Sequence, residues 1–304
     1  MTTDAPMGPP NVNDPQRFGP PAPVTDGDVT IWRDVIVGEA PGFRPLTLDL
    51  YRPPGDSPVP LIVWIHGGAW LFGSNKVESV PLLPGDINNR ILAAGFAVAR
   101  VTYRLSGEAR FPAQLHDVKA AVRWLRHHAA ALNVDPTRFG VWGESAGGHL
   151  ASLVALTGDD PALTGRVGIL EGSDAVQSGV IWYGPSNLLS MAAQNHPQGF
   201  QDHDSPDAPE GRLVGGPVQS LPTESAAASP VTYASAAAPP LLLIHGAEDR
   251  VVPAAQSTEL HEALLTAGAS TTLEIIPAAD HCFVGAGLPP IVTTSLTHFT
   301  KTLL

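Results

Sequence analysis

The stretch that most restricts what this chain can fold into is Gly143-Glu144-Ser145-Ala146-Gly147-Gly148. An apolar run, Phe139 to Trp142, precedes it, and a helix-like run, His149 to Leu156, follows. The pattern reads as strand, sharp turn, helix. Glycines two before and two after the serine let the chain bend and let the helix pack close to the strand. Such a turn lifts the serine hydroxyl off the end of a sheet. It also aims the amino end of a helix at it, where negative charge is stabilised. A serine held this way is a candidate nucleophile, and the rest of the chain must supply a base, an acid and hydrogen-bond donors for an oxyanion.

The same period-switching pattern runs through most of the chain. Residues 29–32 with 35–37, and 46–51, read as two antiparallel strands around a Gly/Pro turn at 41–45. Leu61 to Ile65 is a solid apolar run, as a central parallel strand needs. A short helix at 87–94 and a strand at 96–103 follow. Residues 112–133 carry the clearest helical stripe, Leu115, Val118, Val122 and Leu125. Further strands fall at 176–183, 241–244 and 271–276, and helices at 253–267 and 290–304. Strands alternating with helices specify an α/β fold: a mixed, mostly parallel sheet of about eight strands with helices on both faces. Residues 186–239 break this rhythm. A long irregular stretch in a compact domain suits a cover beside a site. Residues 1–27 are rich in Pro and Gly and read as an arm, either a loose tail or a strap over the active-site mouth. The expected organisation is that arm, then one domain over 28–304 with 186–239 as an insertion.

The net charge of −12 opposes binding to nucleic acid or to an anionic membrane. No apolar run reaches the roughly 18 residues of a membrane helix. The single cysteine, Cys282, excludes an intrachain disulfide and a multi-cysteine zinc site. The amino end has neither a basic start nor an apolar core. Together these lead us to expect a cytoplasmic protein. Nothing in the sequence selects between a monomer and a homo-oligomer.

In an open α/β sheet, ligands and catalytic groups gather beyond the carboxyl ends of the strands. Asp249 follows the strand at 241–244, and His281 follows the strand at 271–276. The order Ser145, Asp249, His281 suits a serine activated by a histidine that a carboxylate orients. Glu248 and Asp280 are the rival acids. His245 and His66 read as structural histidines, and Cys282 as packing. His196, Asp202, His203 and Asp204 have no metal-site spacing, so no metal is expected. Ala146 and the loop His66-Gly67-Gly68-Ala69-Trp70 are the candidate oxyanion donors. Trp70, Tyr103, Glu144, Trp182 and Phe283 end strands or adjoin motif residues, which makes them candidate pocket walls.

Four segments together, His66 to Trp70, Gly143 to Gly148, His245 to Pro253 and Asp280-His281, resemble the α/β-hydrolase carboxylesterases of the hormone-sensitive-lipase and feruloyl-esterase-like groups. The resemblance runs from about residue 30 to the end. It implies a small-molecule ester substrate, an acyl-enzyme, no cofactor, and Gly68, Ala69 and Ala146 as oxyanion donors. Ala69 replaces the third glycine of the lipase-like form. The HGGxW pattern and Trp182-Tyr183-Gly184-Pro185 are similar to the feruloyl-esterase and arylformamidase branch. An arylformamidase or amidase with the same triad is therefore the alternative. A serine peptidase or a non-catalytic binding protein on this scaffold is more remote.

Overall fold

Parity along the strands decides where the core forms. In the computed structural model, which describes residues 15–40, 42–76 and 86–304, every residue of the run 61–65 is buried. Leu61, Val63 and Ile65 face one half of the core, and Ile62 and Trp64 face the other. This is the period-2 alternation of a strand covered on both sides.

The elements run β1 (Val24–Asp26), β2 (Val29–Gly38), β3 (Leu46–Arg52), β4 (Val59–Ile65), α1 (Asp86–Ala93), β5 (Ala97–Val101), α2 (Ala113–His127), α3 (Ala129–Leu132), β6 (Val134–Glu144) and α4 (Ala146–Leu156). Then come β7 (Ser178–Trp182), α5 (Leu188–Met191), α6 (Pro209–Val214), α7 (Pro222–Ala227), β8 (Leu241–Gly246), α8 (Ala255–Thr266), β9 (Thr271–Ile276) and α9 (Leu288–Leu303). They build a 9-stranded sheet in the order β1-β2-β3-β5-β4-β6-β7-β8-β9. The pairs from β1 to β5 are antiparallel and the rest parallel. The strand beyond the expected eight or so is β1. It pairs with β2 across a two-residue turn, Gly27-Asp28, with Gly27 at φ 58°, and Gly-Asp between two strands is a hairpin signal. The expected long helix over 112–133 is interrupted after His127, and α3 ends at Asn133 in a left-handed cap.

Of the amino-terminal arm, residues 1–14 lie outside the described residues, as does Pro41 of the turn. Residues 15–26 pack along β2 and α2. Phe18 is buried, and its carbonyl accepts a hydrogen bond from Nε1 of Trp124. Arg17 pairs with Glu39 at 2.7 Å. On the opposite face, Trp64, Trp142 and Trp182 meet at ring-centroid distances of 5.3, 6.0 and 4.9 Å. A fully buried apolar side chain contributes roughly 1.5–3 kcal/mol, so this cluster anchors α9 and the central strands together.

Residues 186–239 are less irregular than their composition suggests. Pro209, Pro222 and Pro230 each open a short helix or 3-10 turn. Proline suits a first helical position, where its missing N–H has no partner to lose. The segment is tied to α8: Oε1 of Gln256 accepts from the N–H groups of Ser186 and Asn187, both at 2.8 Å. No helix among the described residues is long and apolar enough to cross a membrane.

Candidate active site

β6 ends at Glu144 and α4 begins at Ala146, so Ser145 alone makes the turn, with φ 52° and ψ −122°. A non-glycine residue at positive φ is strained, and such strain persists only where its surroundings hold it. The N–H of Ser145 donates to the carbonyl of Trp182 at 2.9 Å. A Cβ on Gly147 would lie 2.1 Å from the carbonyl oxygen of Ile65. Only glycine lets α4 start this close to the end of β4.

The structure brings Ser145, His281 and Asp249 together from three strand ends. The hydroxyl of Ser145 lies 3.1 Å from Nε2 of His281, and Nδ1 of His281 lies 2.7 Å from Oδ2 of Asp249. Asp249 is itself fixed: Oδ1 accepts from the N–H groups of Val251 at 2.9 Å and Val252 at 2.8 Å. Nε2 of His245 approaches Oδ2 at 3.2 Å. Burial works against the charge on Asp249, but hydrogen bonds from His245 and His281 overcome it and hold the carboxyl well below the usual carboxylate range. An acceptor at Nδ1 puts the ring proton there and leaves the Nε2 lone pair facing Ser145.

The rivals lie elsewhere. Glu248 is largely exposed and lies 3.4 Å from His196. Asp280 accepts from the N–H of Arg250 at 3.0 Å and of its neighbour His281 at 2.8 Å. His245 has the structural role expected, with Nδ1 accepting from Ser257 at 2.7 Å and Nε2 donating to the Val252 carbonyl at 2.9 Å. Burial, helped by Glu144, pushes the Cys282 thiol up to about 12, which leaves it protonated and a poor nucleophile near neutral pH.

The loop after β4 closes the other side. Gly68 has φ 101°, and a Cβ there would lie 2.2 Å from the carbonyl oxygen of Phe72. Ala69 and Trp70 also adopt positive φ, 54° and 55°. Two histidines brace this turn. The His66 ring stacks on Tyr103 at 4.4 Å, and the Tyr103 hydroxyl donates to the carbonyls of His66 at 3.0 Å and Gly67 at 3.2 Å. Nε1 of Trp70 donates to Nδ1 of His149 at 3.2 Å, and Nε2 of His149 donates to the carbonyl of Ala228 at 2.6 Å. His149 thereby joins the loop, α4 and the 186–239 segment.

Burial lowers both His66 and His149 to about 4. In the unfolded chain a histidine takes up its proton near pH 6.5. Unfolding therefore gains protons as pH falls from about 6.5 to about 4, and stability drops across that window. We expect each histidine to cost roughly 2 kcal/mol at about pH 5 relative to neutral pH. Urea midpoints measured at about pH 7.5 and pH 5 should show the loss; equal midpoints would mean that these two rings do not stay neutral in the folded state.

Ser145, Ala69, Trp70 and Ala146 share a cavity of about 30 Å³ with Pro185, Gln201, Pro209, Glu210, Val251 and Val252. Trp70 is therefore the one expected pocket wall that the structure places there. The other four are corrected. Trp182 and Phe283 are packed in the core on the α9 side of the sheet, because Trp182 shares its parity with Val180. Tyr103 is buried beneath the Gly67 carbonyl. Glu144 turns inward, where Oε2 accepts from the Tyr183 hydroxyl at 2.9 Å and Oε1 lies 3.5 Å from the Gly67 nitrogen. Gln201, Pro209 and Glu210 escaped the sequence reading: they lie 56 to 65 positions from Ser145 in a stretch without periodicity. A larger cavity, about 660 Å³, opens beside β2 and β3 near Arg33, Tyr51 and Asn75, and holds no residue of the triad.

The crossover order of the sheet and the serine on its strand-to-helix turn define an α/β hydrolase. Within that class the chain belongs to the BD-FAE family, whose model matches residues 48–264. It is 33% identical over 247 residues to esterase LipQ of Mycobacterium tuberculosis, covering 80% of this chain and 55% of that protein. It is 32% identical over 213 residues to the probable carboxylic ester hydrolase LipM of the same organism, covering 69% of this chain and 46% of that one. The chain thus spans about half the length of these curated relatives. Among solved structures, a truncated carbohydrate esterase from gut microbiota superposes with a TM-score of 0.79 at 29% identity, covering 92% of this chain and 98% of that one. The bifunctional GH43-CE protein of Bacteroides eggerthii gives 0.76 at 31% identity, covering 90% and 38%.

Proposed function

We propose that this protein is a serine carboxylesterase that hydrolyses an ester of a short acyl group through an acyl-enzyme. The observation that carries the reading is the chain of two contacts, 3.1 Å from Ser145 to His281 and 2.7 Å from His281 to Asp249. Ser145 attacks the ester carbonyl while Nε2 of His281 takes its proton. Asp249 holds His281 in the tautomer that can accept and stabilises the imidazolium that forms. The N–H groups of Gly68, Ala69 and Ala146 receive the oxyanion, a role supported by Ala69 and Ala146 lining the serine's cavity. His281 passes its proton to the departing alcohol, and water activated by the same nitrogen then releases the acid. No cofactor enters these steps.

The esterase names of the relatives support the ester as substrate. Residues 186–239 act as the cover of the 28–304 domain, a role supported by Gln201, Pro209 and Glu210 lining the cavity. A cytoplasmic location is supported by the single cysteine.

The cavity of about 30 Å³ suits an acetyl better than a long acyl chain. Across 4-nitrophenyl acetate, butyrate and octanoate, kcat/KM should fall by at least about tenfold from first to last. A rise with chain length would overturn the short-acyl reading. Turnover of formylkynurenine in preference to the acetate would make the protein an amidase instead.

A further inference from the structure

Glu210 sits in the wall of the Ser145 cavity with one carboxyl oxygen unused. It lies in the first turn of α6, and its side chain is only 5% exposed. Oε1 lies 3.3 Å from Nδ1 of His203, whose side chain is 1% exposed. Oε2 is buried without a partner, and so is Nε2 of His203. A buried polar atom without a partner costs its full desolvation, and such atoms are rare in folded proteins. The neighbouring cation of the same helix, Arg212, lies near Asp207 instead, at 3.6 Å. The cavity wall around Glu210 is otherwise largely apolar, from Trp70, Pro185, Val251 and Val252. An apolar pocket with a few placed polar groups is the usual form of a site that orients a small ligand.

We propose that Glu210 is a substrate-contacting specificity residue: its Oε2 accepts a hydrogen bond from a hydroxyl that the ester carries within a few atoms of its carbonyl. This rests on the carboxylesterase reading and adds the chemistry that the site selects. His203 already stands behind the carboxyl at Oε1, so Oε2 lacks one further donor. A hydroxyl supplies it without bringing a second charge against the largely apolar wall. The preferred substrate is thus a hydroxylated ester, and its unsubstituted isostere leaves Oε2 desolvated and unpaired.

Two isosteric ester pairs test this. 2-Hydroxyethyl acetate against propyl acetate places the hydroxyl on the alcohol side, and methyl glycolate against methyl propionate places it on the acyl side. Dividing each kcat/KM by the hydroxide-catalysed rate of the same ester removes intrinsic reactivity. In the wild type the hydroxylated member of one pair should be preferred by roughly tenfold or more. In Glu210→Met, which keeps length and apolar burial but has no oxygen acceptor, that preference should shrink to near one. Whichever pair shows the preference tells which side of the ester faces Glu210. Should the methionine variant fail to fold by circular dichroism, Glu210→Gln serves instead. An amide oxygen accepts more weakly than a carboxylate, so the preference should fall severalfold. Corrected ratios near one in wild type, or a preference unchanged by either variant, overturn the proposal while leaving the esterase reading in place. Hydrolysis of none of the four esters, or of 4-nitrophenyl acetate, overturns both.

Discussion

Ser145→Ala should lower kcat/KM for 4-nitrophenyl acetate by at least about a thousandfold, and by as much as roughly a millionfold if no side reaction intervenes. The substitution removes one oxygen, whose recorded side-chain contact is the 3.1 Å approach to His281. The strained backbone at φ 52° is as costly for alanine as for serine. Stability should accordingly stay within about 0.5 kcal/mol of wild type, as for a change that breaks no buried network. An organophosphate triester such as paraoxon, losing 4-nitrophenol to the serine, should add one diethylphosphoryl mass to the wild type and none to the variant. Residual turnover above about one part in a thousand, or an adduct on the variant, would remove Ser145 as nucleophile.

Asp249→Asn should cost about four orders of magnitude in kcat with the fold intact, because the change acts on the proton and not on the shape. Oδ1 of Asp249 accepts two backbone N–H groups, from Val251 and Val252. An asparagine keeps those bonds only by placing its oxygen there, which turns its NH2 toward His281. That amide then donates to Nδ1, moves the ring proton to Nε2, and leaves no lone pair for Ser145. The control is Glu248→Gln. Glu248 is exposed, lies near His196 and does not reach His281, so its loss should change kcat by less than about threefold. A collapse in that variant with Asp249→Asn still active would exchange the two acids.

Most of the scaffold was legible because its signals are local. The run Leu61 to Ile65, the stripe Leu115, Val118, Val122, Leu125 and the bend at Gly143 to Gly148 each repeat with the period of the element they form. The grouping of Ser145, Asp249 and His281 was legible for a related reason. Catalytic groups of an open parallel sheet sit just past strand ends, so finding the strands narrowed the acid and the base to a few residues each. His245 and His66 were separated from His281 by where their strands end. The hairpin that adds β1 was not read from the sequence: its turn, Gly27-Asp28, closes a proline-rich stretch that reads as an arm.

The pocket walls were not legible in the same way. Trp182 and Phe283 stand beside motif residues in the chain, yet they point to the α9 side of the sheet. A strand reverses direction at every residue, and Phe283 lies in the tight turn that also holds His281, so adjacency to a site says little about facing it. His149 shows the opposite error. It reads as one more residue of an apolar helix, and only the fold places Trp70 on one ring nitrogen and Ala228 on the other.

The amino-acid sequence alone determined the layered α/β scaffold, the turn that presents Ser145, and the chain order of Ser145, Asp249 and His281, because each is written in short-range periodicity and strand-end position. The tertiary structure alone decided what shares the cavity with that serine. Gln201, Pro209 and Glu210 reach it from a segment with no period to read, and the unpaired oxygen of Glu210 exists only because α6, His203 and the Ser145 turn are packed together. Hydrogen-bond satisfaction depends on three-dimensional neighbours, and sequence distance does not encode them.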